Sequence, residues 1–136
     1  MKIVQEYPPN FSEIKSVLNP DKSMIYCLGD TIYNPSGGEV FEDILVHEKY
    51  HEKQQKEWTS PEIWWTKYLL DKVFREEQEI EAFAAQYAYV RNHSPKASVL
   101  YECLQELAGN LSTLYRVNLS FGEASSKIRN KAKGMI

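Results

Sequence analysis

The sequence predicts a helix-dominated α+β domain, and three observations lead to that class. One short segment, residues 24–33, is rich in β-branched and aromatic residues, as strands are. The longer segments that follow lack Gly and Pro or place apolar residues at helical spacing. The length of 136 residues corresponds to about one domain. We therefore expect residues 1–136 to form one domain in which short strands precede most of the helices.

The first half of the chain predicts three elements. Residues 11–18 predict a short leading helix. Residues 24–33 are interrupted by Gly29-Asp30, which predicts either a short β-hairpin or one bulged strand. Residues 39–58 contain no Gly or Pro, and apolar residues and histidines recur there every three or four positions. That spacing predicts a single amphipathic helix.

The second half predicts further helices. Ser60-Pro61 supplies an N-cap and a first-turn proline, so a helix should begin there and extend to about Val90, unbroken or with one kink. Ser94-Pro95 repeats this signal for a helix through Leu107. Residues 120–134 predict a basic C-terminal helix with Ser120 as a possible N-cap.

Charge and hydropathy exclude several classes of protein. The net charge is -3, which does not fit a general nucleic-acid binder, although residues 116–136 contain five cations and one acid. No segment has the length of a membrane-spanning helix or the apolar core of a signal peptide, so we expect a cytoplasmic protein without a membrane partner. Cys27 and Cys103 belong to no CxxC unit, and we expect two reduced, buried thiols.

His47-Glu48-Lys49-Tyr50-His51 is an HExxH motif within the predicted helix 39–58. Residues four apart lie on the same helix face, so both imidazoles can bind one zinc ion. Glu48 lies about 100° around the helix and can reach a water on the metal as a general base. The two histidines lie on the face expected to point toward the core, where an unpaired imidazole is costly. A zinc site is therefore the favoured interpretation over two solvent-facing histidines.

A catalytic zinc needs a third protein ligand, and the sequence offers several. The HExxHxxGxxH pattern is excluded, because Gln54 and Glu57 occupy its Gly and His positions. His93 lies near a helix end and is a weak candidate. A glutamate of the acidic cluster in FREEQEIEAFAAQ is a better one. The preferred ligand is Glu79, because its helical neighbours are apolar; the alternatives are Glu81 and, less favoured, Glu77.

The segments LVHEKYHEKQQ and REEQEIEAFAAQ together resemble the paired motifs of gluzincins, which carry HExxH on one helix and ExEA on the next. The chain is especially similar to small single-domain metallopeptidases often encoded by phages and prophages, and the core motif region is residues 24–90. The resemblance implies a zincin-like minimal domain with zinc held by His47, His51 and Glu79 and with Glu48 as the general base.

The resemblance also implies how a substrate would bind. The segment GDTIYN, residues 29–34, would be the edge strand along which an extended peptide lies antiparallel. If the chain is phage-encoded, the virion and the host cytoplasm are further expected locations. One departure matters: gluzincins commonly have an acidic residue four positions after the ligand glutamate, and here that residue is Phe83. Glu42, Asp43 or a backbone carbonyl is then expected to orient a histidine.

The function that these residues predict is hydrolysis of a peptide bond in a protein or peptide substrate. An oxyanion donor should complete the site, and Tyr87, Tyr101 and Tyr115 are chemically suitable. The alternative is a catalytically silent, zinc-stabilised interaction or assembly module. Glu48 favours the enzyme, because a structural zinc site does not need a carboxylate beside its first histidine. The oligomeric state stays open.

Overall fold

The computed structural model describes residues 1–94 and 96–135, and within them it contains three short strands and six helices. In chain order the elements are β1 (Lys2–Val4), α1 (Phe11–Val17), β2 (Tyr26–Leu28), β3 (Thr31–Tyr33), α2 (Glu42–Lys56), α3 (Pro61–Leu70), α4 (Lys72–His93), α5 (Ala97–Leu114) and α6 (Phe121–Ala132). The helix-dominated α+β class is confirmed. None of the helices in the described residues is both long enough and apolar enough to cross a membrane.

The strands form one small sheet in the order β1-β3-β2. β2 and β3 are the predicted hairpin and pair antiparallel around Gly29, which takes the left-handed conformation (φ 63°) that a tight turn requires. The prediction that residues 29–34 form an edge strand is wrong, because β1 pairs with β3 in parallel, with Ile3 opposite Ile32. β3 is thus the central strand, and neither of its edges is open to a peptide.

The outer edge of β2 faces the helices and is covered at its centre. The carbonyl of Cys27 accepts hydrogen bonds from Gln55 Nε2 of α2 (2.8 Å) and from Trp65 Nε1 of α3 (2.9 Å). Gln55 Oε1 in turn accepts from the backbone N–H of Gly29 (2.7 Å). These side chains replace the backbone partners that an added strand would offer, and they fix the HExxH helix against the sheet.

The helix that was expected from Ser60 to about Val90 is divided at Asp71. Ser60 caps α3 as predicted, with its hydroxyl accepting from the N–H of Ile63 at 3.2 Å. Asp71 has an extended backbone that ends α3, and its carboxylate accepts from the N–H of Phe74 at 3.0 Å, which starts α4. The break follows from the preference of Asp for the N-cap position.

The last two helices follow the sequence with one exception. α5 begins at Ala97 after the loop at Ser94, and Pro95 of the predicted start signal lies outside the described residues. α5 was expected to end at Leu107 but continues through Gly109 to Leu114. Burial of leucines on the same helix face offsets the roughly 1 kcal/mol that Gly costs within a helix. α6 begins with the capping box of Ser120 and Glu123.

The core consists of two clusters. One joins α4, α5 and α6 around Leu107, Leu111 and Ile128, and the other joins α1, β2 and α3 around Ile14, Trp64 and Tyr68. α2 packs chiefly against α4. Both cysteines are free thiols, as expected; Cys27 is buried, whereas Cys103 is only partly buried.

Candidate metal centre

Two histidines of α2 and one glutamate of α4 meet between these helices. His47 and His51 lie one turn apart with their ring centroids separated by 4.8 Å. Glu79 faces both of them: its Oε1 lies 3.3 Å from His47 Nε2, and its Oε2 lies 3.2 Å from His51 Nε2. All three residues are buried, and their candidate ligand atoms lie within 4.8 Å of one another.

The other candidate ligands lie elsewhere. Glu81 is only partly buried, and its Oε1 accepts a hydrogen bond from Gln54 Nε2 at 3.1 Å. Glu77 is exposed on α4. His93 is exposed at the end of α4, where its Nδ1 donates to the carbonyl of Tyr89 at 2.9 Å. Of these glutamates, Glu79 is the one that is buried, as are Ala82, Phe83 and Gln86 of the same helix.

Two glutamines fix the tautomers of the histidines. Gln86 Nε2 donates to Asp43 Oδ2 (2.9 Å), so its oxygen must face His47 Nδ1, at 3.1 Å. Gln54 Nε2 donates to the carbonyl of Gln78 (3.0 Å), so its oxygen must face His51 Nδ1, at 2.7 Å. Because an amide oxygen only accepts, each Nδ1 carries a proton.

With these tautomers, hydrogen-bond acceptors of the two histidines face the hydrogen-bond acceptors of Glu79 at the centre. In a neutral imidazole with a protonated Nδ1, Nε2 has a free lone pair, and both Nε2 atoms face the Glu79 carboxylate, which also only accepts. Glu79 Oε1 is buried and has no hydrogen-bond partner among the described residues. The conflict disappears if the imidazoles are protonated or if a cation lies between the three groups.

The residues fit zinc by geometry and by chemistry. A tetrahedral zinc with ligand bonds of about 2.0–2.1 Å separates neighbouring ligand atoms by roughly 3.4 Å. The distances to the histidines, 3.3 Å from Glu79 Oε1 and 3.2 Å from Glu79 Oε2, are close to that separation, and all three candidate ligands lie within 4.8 Å of one another. Two neutral imidazoles and one carboxylate form a donor set typical of catalytic zinc, and the glutamine contacts supply the second-sphere orientation that such histidines need.

In the absence of a metal cation, protonation of an imidazole can compensate the charge of the Glu79 carboxylate. Burial alone would lower the pKa of His51, but the Glu79 carboxylate outweighs burial and raises the pKa to about 9. Burial likewise acts to raise the pKa of Glu79, but the two histidines hold it well below its usual value. The metal-free centre is therefore an ion pair between an imidazolium and a carboxylate.

Aromatic side chains enclose the ligands. The hydroxyl of Tyr68 donates to Glu79 Oε2 at 2.6 Å. The Phe83 ring packs edge-on against His47 with the centroids 4.5 Å apart, so the position that is acidic in gluzincins provides packing here. Of the residues expected to replace it, Asp43 does so through Gln86, whereas Glu42 is exposed.

Glu48 lies beside the three candidate ligands but is not one of them. Its Oε2 is 3.9 Å from His47 Nε2, and the residue is 4% exposed. No side-chain hydrogen bond joins its carboxylate to another described residue. Burial raises the pKa of Glu48, and the neighbouring imidazoles offset this only in part.

A cleft of about 690 Å³ opens over this centre, and His47 and Glu48 line it. Its lining comes from segments 21–25 and 34–44, from α4 (Phe83, Gln86 and Val90) and from α5. Tyr115, at the C-terminal end of α5, lines both the cleft and the small space around Glu79. Burial and the carboxylates of Glu79 and Glu48 hold the pKa of Tyr115 well above its ordinary value, so its hydroxyl keeps its proton.

The other two tyrosines considered as oxyanion donors are less suitable. Tyr101 is 67% exposed and does not line the cleft, and Tyr87 is buried in the cluster of α4, α5 and α6. Tyr115 is the only one of the three that lines the cleft beside Glu48.

No sequence pattern indicated Arg75, which holds the segment with Tyr115 in place. Its buried guanidinium donates to the carbonyls of Tyr115 (2.9 Å) and Arg116 (3.2 Å) after α5. It also donates to those of Tyr68 (2.9 Å) and Leu69 (3.2 Å) in α3. Gln54, Gln86 and Tyr68 were likewise not foreseen as supports of the site.

Comparison of the chain with protein families, curated proteins and solved structures finds no match in any of the three.

Proposed function

We propose that this chain is a zinc-dependent peptidase that hydrolyses peptide bonds with Glu48 as the general base. The observation that carries the proposal is the convergence of both Nε2 atoms on the Glu79 carboxylate, with Glu48 beside them on the floor of a cleft. His47, His51 and Glu79 would hold the metal.

The chain's own residues account for the remaining chemistry. When bound, zinc would supply Lewis acidity toward the scissile carbonyl and toward a water molecule. Glu48 Oε accepts a proton from the water and returns it to the leaving amine. The hydroxyl of Tyr115, kept protonated, donates a hydrogen bond to the developing oxyanion. Gln54 and Gln86 keep each imidazole in the tautomer that presents Nε2.

Glu48 also favours this function over a silent structural zinc site. Burying a carboxylate without a hydrogen-bond donor costs stability, and a structural site would gain nothing in return. A general base, by contrast, must face the substrate space with its lone pairs free.

The test is metal analysis combined with an activity assay. We expect close to one zinc per chain in the wild type, little in His47→Ala, and zinc-dependent cleavage of an unfolded protein such as casein. Glu48→Gln should retain the zinc and lose cleavage by a factor of about 10² or more. Zinc retention with equal cleavage in Glu48→Gln would refute the assigned base, and no zinc in the wild type would refute the centre.

A further inference from the structure

The cleft over the centre has an unusual distribution of charge. The chain as a whole has 19 acidic residues and 16 Lys and Arg, so a random patch would contain both signs. The described residues that line the cleft include no Lys or Arg. They include six acids: Asp21, Glu39, Asp43, Glu48, Glu102 and Glu106.

The acids of the α5 wall are not explained by the fold. Glu102 and Glu106 lie one turn apart on the same face and are exposed. Like charges four residues apart destabilise a helix by a few tenths of a kcal/mol, so the pair does not serve the helix. Neither forms an ion pair with a described residue, in contrast to Glu76, which pairs with Lys127 at 2.8 Å.

Apolar residues lie between these carboxylates. Val99, Cys103 and Leu107 line the cleft from α5, and Phe41 and Ile44 line it as well. Lys and Arg side chains have apolar stems and charged ends, so such a surface suits them better than it suits an isolated metal ion. The Glu48 carboxylate on the floor is 4% exposed and accepts no hydrogen bond from a described residue, which is a second sign, separate from the α5 pair, that the cleft accepts a ligand.

We propose that the cleft binds an extended peptide with Lys or Arg next to the scissile bond, and that Glu102 and Glu106 select those side chains. This inference rests on the proposed peptidase function, since it names the substrate class of the same site. Because the acids lie on the walls of the cleft, the selection acts at binding, before any bond is broken. The cleft volume of about 690 Å³ is sufficient for several residues of a peptide.

The test measures binding apart from cleavage. Zinc-loaded Glu48→Gln is titrated into three fluorescein-labelled peptides of one length that differ at a central position, which is Lys, Gln or Glu. We expect anisotropy to give the Lys peptide an affinity about tenfold above the Gln peptide, with the Glu peptide weakest. Raising the salt from about 50 mM to about 300 mM should reduce that preference. The same titration with metal-free wild type measures peptide binding in a protein that retains Glu48.

Two double variants test which carboxylates cause the preference for the Lys peptide. Glu102→Gln/Glu106→Gln should lose most of the preference for Lys over Gln. The control variant Glu57→Gln/Glu77→Gln removes two exposed carboxylates outside the cleft and should retain the preference for Lys. Equal affinity for the three peptides, or equal loss in both double variants, overturns the proposal. Displacement of the Lys peptide by spermidine at comparable affinity also overturns it, because the cleft would then be a polyamine site.

Failure of this inference is distinguishable from failure of the proposed function. Zinc-dependent cleavage that is equally fast at Lys and Gln peptides would leave the peptidase intact and refute the selection. Selective binding of the Lys peptide without any cleavage by the wild type would support the cleft and refute the peptidase.

Discussion

The hydroxyl of Tyr68 donates a 2.6 Å hydrogen bond to Oε2 of Glu79, so α3 orients a candidate zinc ligand without contributing one itself. Second-sphere partners of this kind typically change metal affinity by about 10- to 100-fold. Tyr68 thus has a role beyond the packing of its ring against Trp64.

Replacement of that hydroxyl should weaken the metal site while sparing the fold. Tyr68→Phe keeps the ring but leaves Glu79 Oε2 with the His51 contact alone, and we expect zinc affinity to fall about tenfold. Competition with a chromophoric chelator measures the change. Tyr87→Phe is the matched control, because Tyr87 is also buried but lies in the cluster of α4, α5 and α6. Equal affinities in the two variants would contradict the assignment.

Two alanine variants separate the third ligand from its neighbour. Glu79→Ala removes the carboxylate that faces both imidazoles, and zinc binding should fall by about 10² or more. Glu81→Ala removes an acceptor of Gln54, which still donates to the carbonyl of Gln78, so its effect should be smaller. Isothermal titration with zinc compares them directly. A larger loss in Glu81→Ala would transfer the ligand role to that residue.

The metal-free protein should lose stability as the pH rises. The folded-state pKa of His51, about 9, lies above the ordinary value of 6.5, so the imidazolium contact with Glu79 contributes fully below about pH 6.5. That contribution disappears as the pH rises through about 9, and it is on the order of 3 kcal/mol. Urea unfolding of chelator-treated protein, repeated at pH values from about 5.5 to about 9.5, measures this loss of stability.

The same experiment has an internal control. His51→Gln has no imidazole to titrate, so its unfolding midpoint should change less over this range. Zinc should reverse the trend in the wild type, since the ligand is the unprotonated imidazole and protons compete with the metal. Parallel pH profiles of the metal-free wild type and His51→Gln would show that the pair does not contribute.

Tyr115 should affect turnover but not metal binding. Tyr115→Phe removes the protonated hydroxyl of a residue that lines the cleft together with Glu48, and we expect kcat to fall by about 10²-fold with unchanged zinc affinity. Steady-state kinetics on the best peptide, together with metal analysis, measures both. Tyr101→Phe, on an exposed position of α5 away from the cleft lining, should leave kcat unchanged. A rise in KM alone would make Tyr115 a binding residue.

Local signals in the sequence were sufficient for most helices and for the candidate ligands. The HExxH spacing and the caps at Ser60 and Ser120 each depend on residues within one helical turn, so they can be read without knowledge of the fold. The apolar neighbours of Glu79 favoured it over Glu81 for the same reason.

Features that depend on distant residues were missed. The three residues of β1 are too few to form a recognisable strand pattern, and their pairing with β3 made the predicted edge strand a central one. Extension of α5 past Gly109 depends on packing against α4 and α6, which outweighs local propensity. The glutamine contacts to the histidines join α2 and α4 and have no signature in sequence spacing.

The guanidinium of Arg75 has a consequence for how the chain is made. The ribosome synthesises the residues of the centre (His47, Glu48, His51 and Glu79) before it reaches Tyr115 and Arg116. Arg75 donates to the carbonyls of those two residues, which follow it by 40 and 41 positions. A nascent chain that ends near residue 94 would have the complete ligand set, yet it would bury a cation without half of its acceptors. We therefore expect zinc to be captured late in translation, after α5 has left the ribosome, and a released fragment of residues 1–94 to bind it poorly.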